Sequence, residues 1–145
     1  MTPLLRNATA ADMQAVRDLL HGNGLPTSDL ASSNARFTVV CEGSRIIGAG
    51  ALESFGKAAL LRSVAVDSAR RGQGLGRHIV KALENQARAA GIIQLVLLTQ
   101  TARQFFEHQD YHPVDRAHVP ETVQQSEEFR SLCPASAQCM MKLLR

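Results

Sequence analysis

Residues 63–91 read SVAVDSARRGQGLGRHIVKALENQARAAG, and this stretch constrains the chain more than any other. An apolar alternation ends at Val66, and Gly72, Gly74 and Gly76 then alternate among arginines. Leu75, Ile79, Leu83 and Ala87 follow at every fourth position. The alternation predicts a strand, the fourfold repeat predicts a helix with one apolar face, and Gly91 predicts its stop. Glu84 and Arg88, four apart, are expected as an outward-facing pair. Glycines between a strand and a helix let successive N–H groups converge on an anion, and the helix end adds about half a positive charge. Arg70, Arg71 and Arg77 flank the loop, a combination that suits a pyrophosphate. The loop lacks the lysine–hydroxyl pair of a Walker motif, and its strict alternation is not the dinucleotide pattern G-x-G-x-x-G.

Around this segment the chain alternates strands and helices. LLRNAT reads as a first strand, and Thr9 and Asp12 have capping-box spacing ahead of the stripe Met13, Val16, Leu19 and Leu20. HGNGLPTSDL reads as a loop. ARFTVVCE and RIIGAGALESF, joined by GS, predict a hairpin, and GK leads to a third strand, AALLRSVAV. IIQLVLLT is a near-continuous apolar run of the kind buried on both faces. A helix in TARQFFEHQ, a short strand near YHPV, an irregular stretch over 115–135 and a last strand in SAQCMMKLL complete the order β-α-βββ-α-β-α-β-β. That order predicts a mixed α/β sandwich.

Composition narrows the partners. At 145 residues and 45% hydrophobic content, the chain is expected to form one domain, 1–145. No run reaches the roughly 20 apolar residues of a membrane span. The opening MTPLLRNATAADM lacks the apolar core of a signal peptide, so a cytoplasmic protein without a membrane partner is expected. The net charge of +3 is dispersed, and one tyrosine and five phenylalanines offer little for base stacking. An anionic small ligand is therefore expected in place of nucleic acid. Cys41, Cys133 and Cys139 do not form a disulfide framework. Thiolates suit soft ions such as zinc, but the spacing of Cys133 and Cys139 matches no C-x-x-C site, so buried thiols and no metal are expected.

With these elements in place, the sequence resembles the GNAT superfamily of acyl-CoA-dependent N-acetyltransferases. The family's phosphate motif, [RQ]-x-x-G-x-[GA], is matched by Arg71, Gly74 and Gly76 after the strand LLRSVAV. The resemblance implies an α/β fold with a mixed, largely antiparallel sheet of about six or seven strands and helices on both faces. It also implies acetyl-CoA as cosubstrate, a small-molecule amine as acceptor, and a homodimer as one arrangement. Backbone groups of Arg71, Gly72, Gln73, Gly74, Leu75, Gly76 and Arg77 would hold the pyrophosphate, and Val64, Ala65 and Val66 would line the pantetheine arm. LLTQTARQFFEHQDYHPVDRAHVPE is similar to N-acetylglutamate-synthase-type domains. LPTSDL, ALLRSVAV and SLCPASAQCM are similar to acetyltransferases of bacterial arsenic-resistance clusters, which implies an amino acid or an amino-acid-like toxin, arsenicals included, as acceptor.

Amide formation needs a neutral amine, a positioned thioester, an oxyanion donor and a departing thiolate. By the family motif, the usual acid, a tyrosine, is replaced here by Phe106. The remaining phenol, Tyr111, and the carboxylate of Glu53 are the candidate acid and base, with His108 and His112 behind them. Arg62 and Ser63 precede the CoA-facing strand residues, and an arginine there suits a substrate carboxylate or oxyacid. The replaced tyrosine also leaves open a non-catalytic sensor or accessory protein that binds acetyl-CoA or a metalloid.

Overall fold

A computed structural model describes residues 3–30, 34–132 and 136–144, and Cys133 lies outside them. Strands β1 (Leu4–Asn7), β2 (Arg36–Glu42), β3 (Arg45–Phe55), β4 (Ala58–Val66), β5 (Gln94–Thr99), β6 (His112–Pro113) and β7 (Gln138–Leu143) form one sheet. Their spatial order is β1-β2-β3-β4-β5-β7-β6. Every neighbouring pair is antiparallel except β4 with β5. Parallel neighbours need a crossover, and helix α2 (Leu75–Ala89) supplies it. The other helices are α1 (Met13–Gly22), α3 (Arg103–His108) and the single turn α4 (Glu121–Gln124). Among the described residues the sequence expectations for the elements hold, including the irregular stretch as far as residue 132.

Strand alternation sorts the core into two faces. Ala59 and Leu61 pack with Leu75, Ile79, Val80, Leu83 and Ala87 of α2, as the fourfold repeat requires. Ala49 and Ala51 point the other way, against Val16 and Leu20 of α1. Ala58 and Leu60 share that second face with Val123 of α4 and with Phe129. Gly48 and Gly50 let α2 approach β3 closely. A Cβ at Gly50 would lie 2.7 Å from Ile79 Cγ2 and 2.9 Å from Leu83 Cδ1.

One expectation for α2 is corrected. Glu84 is 3% exposed and does not form an outward pair with Arg88. Its Oε2 accepts from the Tyr111 hydroxyl at 2.9 Å and from Lys142 Nζ at 3.1 Å. An apolar helix face admits a carboxylate when its partners are supplied by other elements. Among the described residues no helix is long and apolar enough to cross a membrane.

Candidate active site

A bulge in β4 shapes the site. Ala49 stands opposite Ala65 and Ala51 opposite Arg62, so β4 holds one residue more than β3 between these pairs. Ser63 takes up the excess, with φ of 60° in the left-handed region. Beyond it, Asp67 N donates to Ile47 O at 2.8 Å. Hydrogen-bonded positions alternate in an antiparallel ladder, so Ala65 also turns its backbone to β3 while Val64 and Val66 turn theirs away. On that side β5 has already diverged: its pairing with β4 ends at Leu60 opposite Val96, although β4 continues to Val66. The result is a wedge with unpaired backbone groups on its β4 wall. Ala65, expected with its neighbours at the cofactor, is the exception. Its backbone is committed to β3 and its side chain belongs to the α1-side core.

At the end of β4 the chain reaches the glycine loop. Gly72 and Gly74 have φ of 82° and 79°, conformations that side chains other than hydrogen rarely adopt. A Cβ at Gly74 would meet nothing closer than His78 Cδ2 at 3.9 Å. The loop is therefore open above this glycine. No N–H from Arg71 to Arg77 is bonded to another group among the described residues, and the first helical bond in this region is His78 N to Gly74 O. Free N–H groups at the start of a long helix form an anion cradle. Gly76 has a different task. The place of its absent Cβ is 3.3 Å from the Phe105 ring, so this glycine lets α3 close on α2. Leu75 gives its side chain to the core. The arginines divide: Arg70 pairs with Glu42, Arg71 reaches Asn23 Oδ1, and Arg77 is exposed along with Gln73.

On the face opposite α2, under the bulge, lies a buried ionic cluster. Arg62 is 3% exposed. Its Nη1 and Nη2 donate to Asp29 at 2.5 and 2.8 Å, and Nη1 also reaches Glu53 Oε1 at 3.3 Å. Its Nε lies 3.3 Å from Ser63 Oγ and 3.6 Å from Glu128 Oε1. The expected role of Arg62, pairing a substrate carboxylate, is corrected: protein carboxylates already surround its guanidinium. Burial first, then the charges of Asp29 and Glu53, push the Glu128 carboxyl up to about 7 against the pull of Arg62.

The two residues expected as acid and base are not brought together. Glu53 continues the series Ala49 and Ala51 on the cluster side. Tyr111 is 2% exposed in the α2-side core, its ring 5.6 Å from that of Phe106. Burial and the neighbouring Glu84 carboxylate hold its phenol well above the ordinary tyrosine range. Its proton serves the bond to Glu84. His108 and His112 are exposed. Cys139 is buried, and burial pushes its thiol up to about 11, the wrong direction for a thiolate ligand or nucleophile. Among the described residues no three His, Cys, Asp or Glu are grouped to hold a metal ion. Asp29 and Glu128 had no signal in the sequence, because the chain meets Arg62 at both only after folding.

The family model described as Acetyltransferase (GNAT) domain matches residues 33–113, more than half of the chain. The chain belongs to the GNAT acetyltransferase family. Solved acetyltransferase structures share its fold. An N-acetylglutamate synthase from Neisseria gonorrhoeae, complexed with coenzyme A and N-acetyl-glutamate, superposes with a TM-score of 0.86 at 17% identity. That match covers 100% of this chain and 36% of the synthase, so the chain spans about a third of that relative's length. Rv2747 from Mycobacterium tuberculosis, in complex with CoA, gives 0.83 at 23% identity, covering 98% of this chain and 99% of the other. The ribosomal-protein-S18-alanine N-acetyltransferase from Escherichia coli gives 0.75 at 14%, covering 99% and 94%. A search of curated proteins returned no significant match. The bulged β4, the wedge and the glycine loop of this GNAT domain thus lie in a fold that other proteins use with CoA.

Proposed function

We propose that the protein is an acetyl-CoA-dependent N-acetyltransferase that acetylates a small amine directly in a ternary complex. The wedge between β4 and β5, leading to the unbonded N–H groups of residues 71–77, carries this reading. These N–H groups would hold the pyrophosphate of CoA, while backbone groups of Val64 and Val66 pair with the pantetheine arm as a strand would. The Val64 N–H beside the Ser63 bulge is the natural donor to the oxyanion. Departure of the thiolate needs no phenol. A thiol with a reference pKa of about 8.5 gives a thiolate at pH 7 for roughly 2 kcal/mol. Tyr111 and Phe106 therefore belong to the packing of the domain.

The acceptor would approach through Ser63 and Glu53, on the side of the Arg62 cluster. An amino acid or amino-acid-like compound, arsenical ones included, is the acceptor we put first. Support comes from the likeness of LPTSDL and SLCPASAQCM to the arsenic-cluster enzymes, and from carboxylates that favour an approaching ammonium. With Arg62 committed to Asp29, the acceptor's own acid group would have to find partners elsewhere.

The deciding assay is release of CoA thiol from acetyl-CoA across amino acids, polyamines and arsenical amino acids, each against a blank without acceptor. Release above blank with an amine is expected. Acetyl-CoA that binds but is never consumed would overturn turnover in favour of a binding role. In the same assay Tyr111→Phe is expected to keep the rate within about twofold. The substitution should lower stability by about 1.5–3 kcal/mol in urea, the size of a hydrogen bond to a charged group. A large loss of rate with stability unchanged would return Tyr111 to the chemistry.

A further inference from the structure

We propose that Glu128 is the group that accepts the proton of the attacking amine, an inference that rests on the acetyl-transfer reading above. The geometry at Arg62 points to it. Asp29 takes both terminal nitrogens of the guanidinium, and Glu53 leans on one of them at 3.3 Å. Glu128 has only the longer pairing with Nε, at 3.6 Å, and among the described residues no hydrogen bond reaches its carboxylate. Its lone pairs are the least committed in the cluster, and a proton acceptor needs a free lone pair.

Position agrees with availability. Nε also contacts Ser63 Oγ at 3.3 Å, so Glu128 and Ser63 share one edge of the guanidinium. Ser63 is the bulge residue, and the next N–H in the chain, that of Val64, turns into the wedge. Glu128 opens a single π-helical turn, Glu128–Leu132, in the stretch between β6 and β7. This turn brings a carboxylate over the face of the sheet opposite α2.

The charged groups facing Glu128 are Arg62 from β4, Glu53 from β3 and Asp29 from the segment before β2. Two of the three repel its charge, and Phe129 and Val123 lie in the apolar cluster beside it. The combined effect holds its carboxyl at about 7, where a base exchanges protons readily under neutral conditions. In the step itself, the amine lone pair attacks the thioester carbon and a C–N bond forms. The N–H proton passes to Glu128. The oxyanion then collapses, the C–S bond breaks, and its electron pair leaves on the sulfur of CoA as thiolate. Glu128 returns the proton to water.

Two measurements test this on the intact protein. The first is the pH profile of kcat/KM with acetyl-CoA and the best amine from the thiol-release panel. Glu128→Gln should lose about 100-fold, the size of a general-base contribution, together with the limb near neutrality. Glu128→Asp should keep that limb at reduced rate, and Glu53→Gln should keep a limb but move it to lower pH, because one of the two charges that raise Glu128 is gone. The second needs no turnover: infrared difference spectra of the wild type should show a protonated carboxyl that titrates at about pH 7 and is missing in Glu128→Gln. Wild-type rate and profile in Glu128→Gln would overturn the role of Glu128 and leave acetyl transfer standing. Absence of the titrating carboxyl would overturn the role as well, even if the variant fails to fold. A wild type that acetylates no amine would overturn the acetyl-transfer reading, and Glu128 with it.

Discussion

Gly74→Asp is expected to weaken CoA binding by at least about 100-fold while the domain stays folded. The structure separates the two effects. At φ of 79° an L side chain is strained, but aspartate is among the residues that tolerate this region, at a cost of about 1 kcal/mol. There is room for it, since the nearest atoms to a Cβ are 3.9 Å and 4.0 Å away on His78 and Arg77. The new carboxylate would stand where the N–H groups of residues 71–77 converge. At an effective dielectric near 20, two like charges about 4 Å apart repel by roughly 4 kcal/mol. Calorimetric titration with CoA measures the loss, and thermal unfolding checks the fold. Gly74→Asn, which has the same shape without the charge, should fall between the two. If Gly74→Asp binds CoA as the wild type does, the anion is not held at this loop.

Arg62→Met should produce the largest loss of stability of any single change in the site, about 3–5 kcal/mol in urea unfolding. Among the described residues Arg62 pairs with Asp29, Glu53 and Glu128, and each of these carboxylates is buried. Removing the arginine strands three buried carboxylates that repel one another. The loss should grow with pH. Without the pull of the guanidinium the Glu128 carboxyl titrates higher still, so the native state holds a proton that the unfolded chain gives up. The wild type is expected to follow the same sign in milder form. Glu128 sits at about 7, above the ordinary carboxylate value, so its contribution to stability is complete at low pH and fades as pH rises through 7. An Arg62→Met protein as stable as the wild type at pH 8 would overturn the ion-pair account of the cluster.

The sequence made local features legible because periodicity and glycine chemistry are local. The fourfold repeat in α2, the hairpin around Gly43 and Ser44, and the glycine loop needed only neighbouring residues to be read. The site's polar contacts were not local. Asp29 reaches Arg62 from 33 residues away, and Glu128 reaches it from the far side of β5. No spacing rule connects such groups, so Arg62 read as free for a substrate. Tyr111 shows the same limit: as the only phenol it drew a catalytic reading, and only the fold reveals Glu84 and Lys142 beside it. Gly76 matched the phosphate motif, yet the contact it permits is with Phe105. Gly48 and Gly50 carried no motif at all, although α2 depends on both for its close approach.

The short seam between β4 and β5 has a mechanical consequence. Among the described residues, the ladder that joins the four-strand half of the sheet to the three-strand half holds three residue pairs, from Ala58 with Gln94 to Leu60 with Val96, extended by the bond from Ile93 N to Lys57 O at 2.8 Å. Beyond that seam the opening angle is held by α2, whose Ile79 presses on Gly48 and Gly50 of one half while the same helix packs on Leu95 and Leu97 of the other. The helix acts as a spacer between two plates hinged along one short edge. Side-chain volume on its hidden face therefore sets the width of the slot, through residues that never meet the molecule inside it.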